Sequence, residues 1–83
     1  MSNAIREASG MSLADLKTYA AVKYMKIDVG GYRELHVLYQ KNDGTKMEVL
    51  FIEREGEKPA ISTLKMEALC YGPDCPESAE GAN

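Results

Sequence analysis

The side chains able to do chemistry in this chain are few. There is one histidine, His36, and there are two cysteines, Cys70 and Cys75. Any Ser/His or Cys/His nucleophilic arrangement must therefore use His36. Glu34, Glu48 and Tyr32 lie near it in the sequence pattern, so a proton-transfer pair can be drawn there. No connection in the chain is long enough to form a lid, and the preferred reading of His36 is a half-buried packing residue. Cys70 and Cys75 have C-x4-C spacing across Gly72-Pro73. A structural zinc site needs four ligands, and His36 is the only further soft one, so no metal is expected. A disulfide is sterically possible across this turn. Two reduced thiols are the expected state, with Cys70 packed and Cys75 solvated, because the chain is read as cytoplasmic. Gly30-Gly31 lacks the further glycines of a phosphate-binding loop. No catalytic residue and no cofactor is expected.

Nucleic-acid binding is the second function class weighed. Lys23, Lys26, Lys41 and Lys46 offer cations, while Tyr32 and Tyr39 offer rings for base stacking. Against this stands a formal net charge of −3. Residues 17–46 carry six bases against three acids, and residues 47–83 carry eight acids against three bases. No basic stripe of the kind that tracks phosphates is present.

His36, Glu34, Glu48, both tyrosines, Lys41 and Lys46 are positioned by one hairpin, 32–54, while Lys23 and Lys26 are expected on the wet side of the main helix. Tyr32–Lys41 and Lys46–Arg54 are rich in residues that suit a pleated surface, and Asn42-Asp43-Gly44-Thr45 between them is a strong turn signal. A three-residue loop, with Gly44 in the left-handed conformation, pairs Lys41 with Thr45. Leu35 then faces Phe51, Val37 faces Val49 and Tyr39 faces Met47, which makes one side fully apolar. A one-residue slip would mix the faces, so this register is preferred. The opposite side pairs Glu34 with Ile52, His36 with Leu50, Leu38 with Glu48 and Gln40 with Lys46. Leu38, Leu50 and Ile52 are too apolar for a face meant only for water.

Outside the hairpin the signals are weaker. Residues 1–10 lack a periodic apolar pattern and are expected to be a flexible, dispensable arm. Residues 12–27 are expected to form the main helix, capped by Ser12 with Asp15 three residues on and a Met11–Leu16 staple. Leu13, Leu16, Ala20, Tyr24 and Ile27 make its core stripe, and Val22 and Met25 lie on a second strip. The competing reading makes Met25–Val29 a strand that turns through Gly30-Gly31 into Tyr32. Residues 61–71 are expected to form a short helix around Leu64–Leu69, with a third antiparallel strand as the alternative. Residues 74–83 are expected to be an acidic, disordered tail.

Eighty-three residues make at most one domain, 11–73. A chain this short buries only about 60% of the surface its unfolded form exposes, so small domains often lean on a partner subunit. No apolar run approaches the length of a membrane helix. The fold class expected is α+β: an N-terminal helix packed on a β-hairpin, followed by a short C-terminal helix or third strand. The function expected is a small non-enzymatic protein-interaction or regulatory module, cytoplasmic and homodimeric, with an unknown protein partner. Association is expected through Val22, Met25, Leu38, Leu50 and Ile52. A nucleic-acid-binding accessory protein is the alternative, and a small enzyme using His36 is the weaker one.

Overall fold

In the computed structural model, which describes residues 2–75, the helix expected over 12–27 is confined to one turn. Helix α1 spans Ser2–Ser9 and α2 spans Leu13–Leu16. Five strands come after them: β1 Ala20–Val29, β2 Tyr32–Gln40, β3 Lys46–Arg54, β4 Ala60–Met66 and β5 Leu69–Tyr71. They form one antiparallel sheet in the order β1-β2-β3-β4-β5, a meander in which each strand pairs with its neighbours in sequence. The expected helix-on-hairpin architecture is thus overturned in favour of a five-stranded sheet with two short helices.

The hairpin at its centre keeps the expected register over its whole length. Leu35 pairs with Phe51, Val37 with Val49 and Tyr39 with Met47, while His36 pairs with Leu50 and Leu38 with Glu48. The Lys41 N–H donates to the Thr45 carbonyl at 2.9 Å, and the Gly44 N–H donates to the Lys41 carbonyl at 3.0 Å. Gly44 has φ +94° and open space where a Cβ would stand, so the cost of a side chain there is backbone strain alone. Asp43 Oδ1 accepts from the Thr45 N–H at 2.9 Å, and that bond holds its carboxyl below the ordinary carboxylate range. Gly44→Ala is expected to lower stability by about 1 kcal/mol, measured by denaturant unfolding. A neutral substitution would show that the loop does not need the left-handed residue.

Two segments expected as helix are strands because pairing outweighs local propensity. Ala20–Val29 carries Val22, Tyr24, Ile27 and Val29, which lose side-chain freedom in a helix and suit a sheet. It turns through Gly30-Gly31 and pairs with β2 from Val29–Tyr32 to Ala20–Gln40. The alternative strand reading of Met25–Val29 therefore holds and extends five residues further back. The 61–71 segment is likewise β4 and β5, closed by a two-residue turn at Glu67-Ala68. The third-strand alternative holds there, and the short C-terminal helix does not form. What remains of the first helix keeps its cap, since Ser12 Oγ accepts from the Asp15 N–H at 3.1 Å.

The core lies on one side of the sheet. Leu35, Val37, Met47, Val49, Phe51 and Leu64 are buried there under Ile5 of α1. Helix α1 packs chiefly against β4. Residues 2–9, expected to be a dispensable arm, thus supply part of the core. The acidic tail lies outside the described residues from position 76 onward, whereas Asp74 closes against β4. Its carboxylate accepts from Ser62 Oγ at 2.7 Å, and its N–H donates to the Ser62 carbonyl at 3.0 Å. No helix of the described residues is long and apolar enough to cross a membrane.

Candidate interaction face

The side of the sheet opposite the core has no covering layer among the described residues. Its side chains are set by the register. One row across the strands reads Lys23, Leu38, Glu48 and Lys65, and the next reads Met25, His36, Leu50 and Thr63. A third reads Ile27, Glu34 and Ile52. The first two rows line a shallow trough of about 450 Å³ on the sheet surface. Leu38, Leu50 and Ile52 are half-buried by their neighbours within the sheet alone, and Met25 is 48% exposed.

Two β-bulges shape this surface. In β1 the pairing steps from Ala21 to Lys23, leaving Val22 as the extra residue. In β4 it steps from Thr63 to Ile61, leaving Ser62 as the extra residue. Bulges increase local twist and re-aim the chain. Of the five residues expected to mediate association, the structure brings Met25, Leu38, Leu50 and Ile52 onto one face. Val22 stands apart at the bulge, 54% exposed. Sequence reasoning leaves out Ile27 and Val29 on the same face, because it prefers the long helix to the strand reading of 25–29. It misses Thr63 and Lys65 because their strand reads as a helix.

His36 and Glu34 put a pair able to transfer a proton on the trough's side of the sheet. His36 Nε2 and Glu34 Oε1 are 3.0 Å apart, so a carboxylate orients the imidazole. Glu48, Lys23 and Lys65 line the same surface, and among the described residues Thr63 supplies its hydroxyl. The connections flanking these strands, 30–31, 41–45, 55–59 and 67–68, are too short to close over the trough. Water therefore reaches every group in it.

The cations expected to favour nucleic-acid contact do not converge. Lys23 lines the trough, whereas Lys26 pairs with Leu35 on the other side of the sheet. Lys41 Nζ sits 5.6 Å from the centre of the Tyr19 ring. Tyr39 is half-buried beside the core, and burial raises the pKa of its hydroxyl.

Cys70 and Cys75 form a disulfide, with Cα atoms 5.9 Å apart, which corrects the expectation of two reduced thiols. The turn at Gly72 brings the chain back on itself after β5, within bonding reach of Cys70. Closing a loop of this length stabilises by about 2 kcal/mol in the chain-entropy model. Cys75→Ser is expected to cost about that much, with the loss reproduced by reductant on the wild type in denaturant titrations. Equal midpoints with and without reductant would show that the bond contributes nothing. Comparison with protein-family models, curated proteins and solved structures gives no match for this chain.

Proposed function

We propose that the protein is a small non-enzymatic protein-interaction module that acts as a homodimer. The observation that carries this reading is the uncovered side of the sheet. An antiparallel sheet with one wet face normally alternates apolar inward and polar outward residues. Here the outward positions include Met25, Ile27, Leu38, Leu50 and Ile52, contiguous across three strands. An apolar patch edged by Lys23, Glu48 and Lys65, with Glu34 and His36 set within it, has the make-up of a protein contact surface. The open, lidless trough around His36 supports binding better than catalysis, which gains from excluding water. An oxidising compartment fits the bonded cysteines better than the cytoplasm does.

Size exclusion coupled to light scattering tests the reading. At tens of micromolar the expected mass is twice that of the 9.1 kDa chain. A monomer at that concentration would overturn the homodimer.

A further inference from the structure

We infer that two copies join edge to edge through β1, antiparallel about a two-fold axis at Ile27, so that Lys26 of each copy meets Asp28 of the other. This rests on the homodimer proposed above and states where its seam lies.

Among the described residues, strand β1 is hydrogen-bonded on one side only, to β2. All ten of its residues are exposed, with Tyr24 at 56% and Ile27 and Val29 at 37%. A long edge strand of this kind is a template for another chain. The neighbouring hairpin settles which of its backbone groups point outward. The Lys41 N–H bonds to Thr45 on the β3 side. Backbone direction alternates along a strand, so Tyr39, Val37 and Leu35 also face β3, and His36, Glu34 and Tyr32 face β1. Their partners Met25, Ile27 and Val29 are then bonded to β2. Tyr24, Lys26 and Asp28 present their N–H and C=O groups to solvent.

A two-fold axis normal to the sheet puts residues of the same face opposite one another, so the axis must fall on a residue. Centred on Lys26 or Asp28, it sets like charges together, which destabilises a pair. Centred on Met25, it sets Asp28 against the bulged Val22 and leaves Lys26 opposite Tyr24. Centred on Ile27, it pairs Lys26 with Asp28 twice, both among the outward-pointing backbone groups, and sets Tyr24 opposite Gly30 of the turn twice. On the other face it places Ile27 on Ile27 and Met25 against Val29. The bulge at Val22 ends the pairing cleanly on the N-terminal side.

Charge continues this register across the sheet. Arg33 Nε donates to Asp28 Oδ1 at 2.9 Å, and Arg33 Nη1 lies 3.5 Å from Glu53 Oε1. Lys26 of the second copy extends that row, giving signs that alternate from the seam to β3. These pairs are exposed, so they select the register more than they add affinity. The seam also joins the two uncovered faces into one surface through Met25, Ile27 and Val29.

The test combines charge reversal with cross-linking, read by light scattering and by gel under non-reducing conditions. Lys26→Asp and Asp28→Lys each set like charges together twice, and each is expected to weaken the dimer about tenfold. The double variant Lys26→Asp/Asp28→Lys is expected to restore it. Opposed residues not bonded to each other lie about 4.5 Å apart at Cα, within disulfide range, so Ile27→Cys is expected to form a covalent dimer on mild oxidation. Val22→Cys, at a more exposed position, is expected not to. A monomeric wild type would overturn both the homodimer and the seam. A dimer indifferent to both charge reversals, or uncrosslinked by Ile27→Cys, would overturn the seam and leave self-association standing.

Discussion

Removing residues 1–10, or replacing Ile5 by Asp, is expected to abolish the cooperative unfolding transition. Ile5 is 2% exposed and belongs with Phe51, Met47 and Leu64 among the largest fully buried side chains. It is the only one of the four outside the sheet. The C-terminal end of helix α1 ties it to the segment leading into α2. Ser9 Oγ donates to the Ile5 carbonyl at 2.8 Å and accepts from the Met11 N–H at 3.2 Å. A truncation to alanine at such a site costs about 2–5 kcal/mol. A domain of this size has a total stability of roughly 4–12 kcal/mol. Ile5→Ala should therefore lower the melting temperature by some 10 °C or more, at about 4–8 °C per kcal/mol. Ile5→Asp adds an unpaired carboxylate to the same apolar site, and the deletion uncovers Phe51 and Leu64 outright. Circular dichroism melts of the three variants decide the matter. A chain beginning at Met11 that melts like the full one would show that α1 is not part of the fold.

The centre of the sheet is legible in the sequence because three signals agree there. Asn42-Asp43-Gly44 specifies the loop, the loop sets the register, and the register yields one fully apolar side. The flanks mislead where bulges break the period of two. In β1, Lys23, Met25, Ile27 and Val29 share one face and Ala21, Tyr24 and Lys26 the other, with Val22 as the extra residue. Ala20, Tyr24 and Ile27 recur at spacings of four and three, the signature of a helix face, although in the strand Tyr24 lies on the opposite side from Ile27. In β4 the extra residue is Ser62. The turn after it, Glu67-Ala68, has no Gly, Pro, Asn or Asp to announce it, and Glu67 adopts φ +57° without the residue type that favours it. The run Leu64–Leu69 then offers only helix formers to a reader of propensity. In α1 one large side chain makes the core contact, too little to show as a pattern.

The candidate face is legible to the extent that it belongs to the hairpin. Leu38, Leu50 and Ile52 stand out because the preferred register leaves them on the side meant for water, two of them opposite carboxylates. Met25 reaches the same face by another route, as a strand residue opposite His36 rather than on a helix strip. The edge of β1 is invisible to a helix reading, since a helix has no edge. Nor does spacing alone distinguish a bonded Cys70–Cys75 pair from two thiols; the fold of the 72–75 turn onto β4 does.

Gly72→Ala is expected to be the most damaging change in that turn. Gly72 has φ +115°, a region L side chains rarely adopt, and a Cβ there would lie 2.6 Å from the Ser62 carbonyl oxygen. The obstructing atom is backbone and cannot swing aside. Two bonds depend on this approach, the Asp74 N–H to the Ser62 carbonyl and Ser62 Oγ to the Asp74 carboxylate. Ser62 is itself 6% exposed, so parting the two segments leaves a buried hydroxyl and carbonyl without partners. Strain of about 1–3 kcal/mol and unmade bonds of about 1 kcal/mol each sum to a loss of roughly 3–5 kcal/mol. The turn also brings Cys75 to Cys70, so the variant should form its disulfide more slowly on refolding, read by thiol titration. Ser62→Ala separates the contributions, because it removes one hydrogen bond and leaves the backbone approach intact. It should cost about 1 kcal/mol. Were Gly72→Ala to unfold at the same denaturant concentration as the wild type, the close packing of the 72–74 turn on the β4 bulge would be refuted.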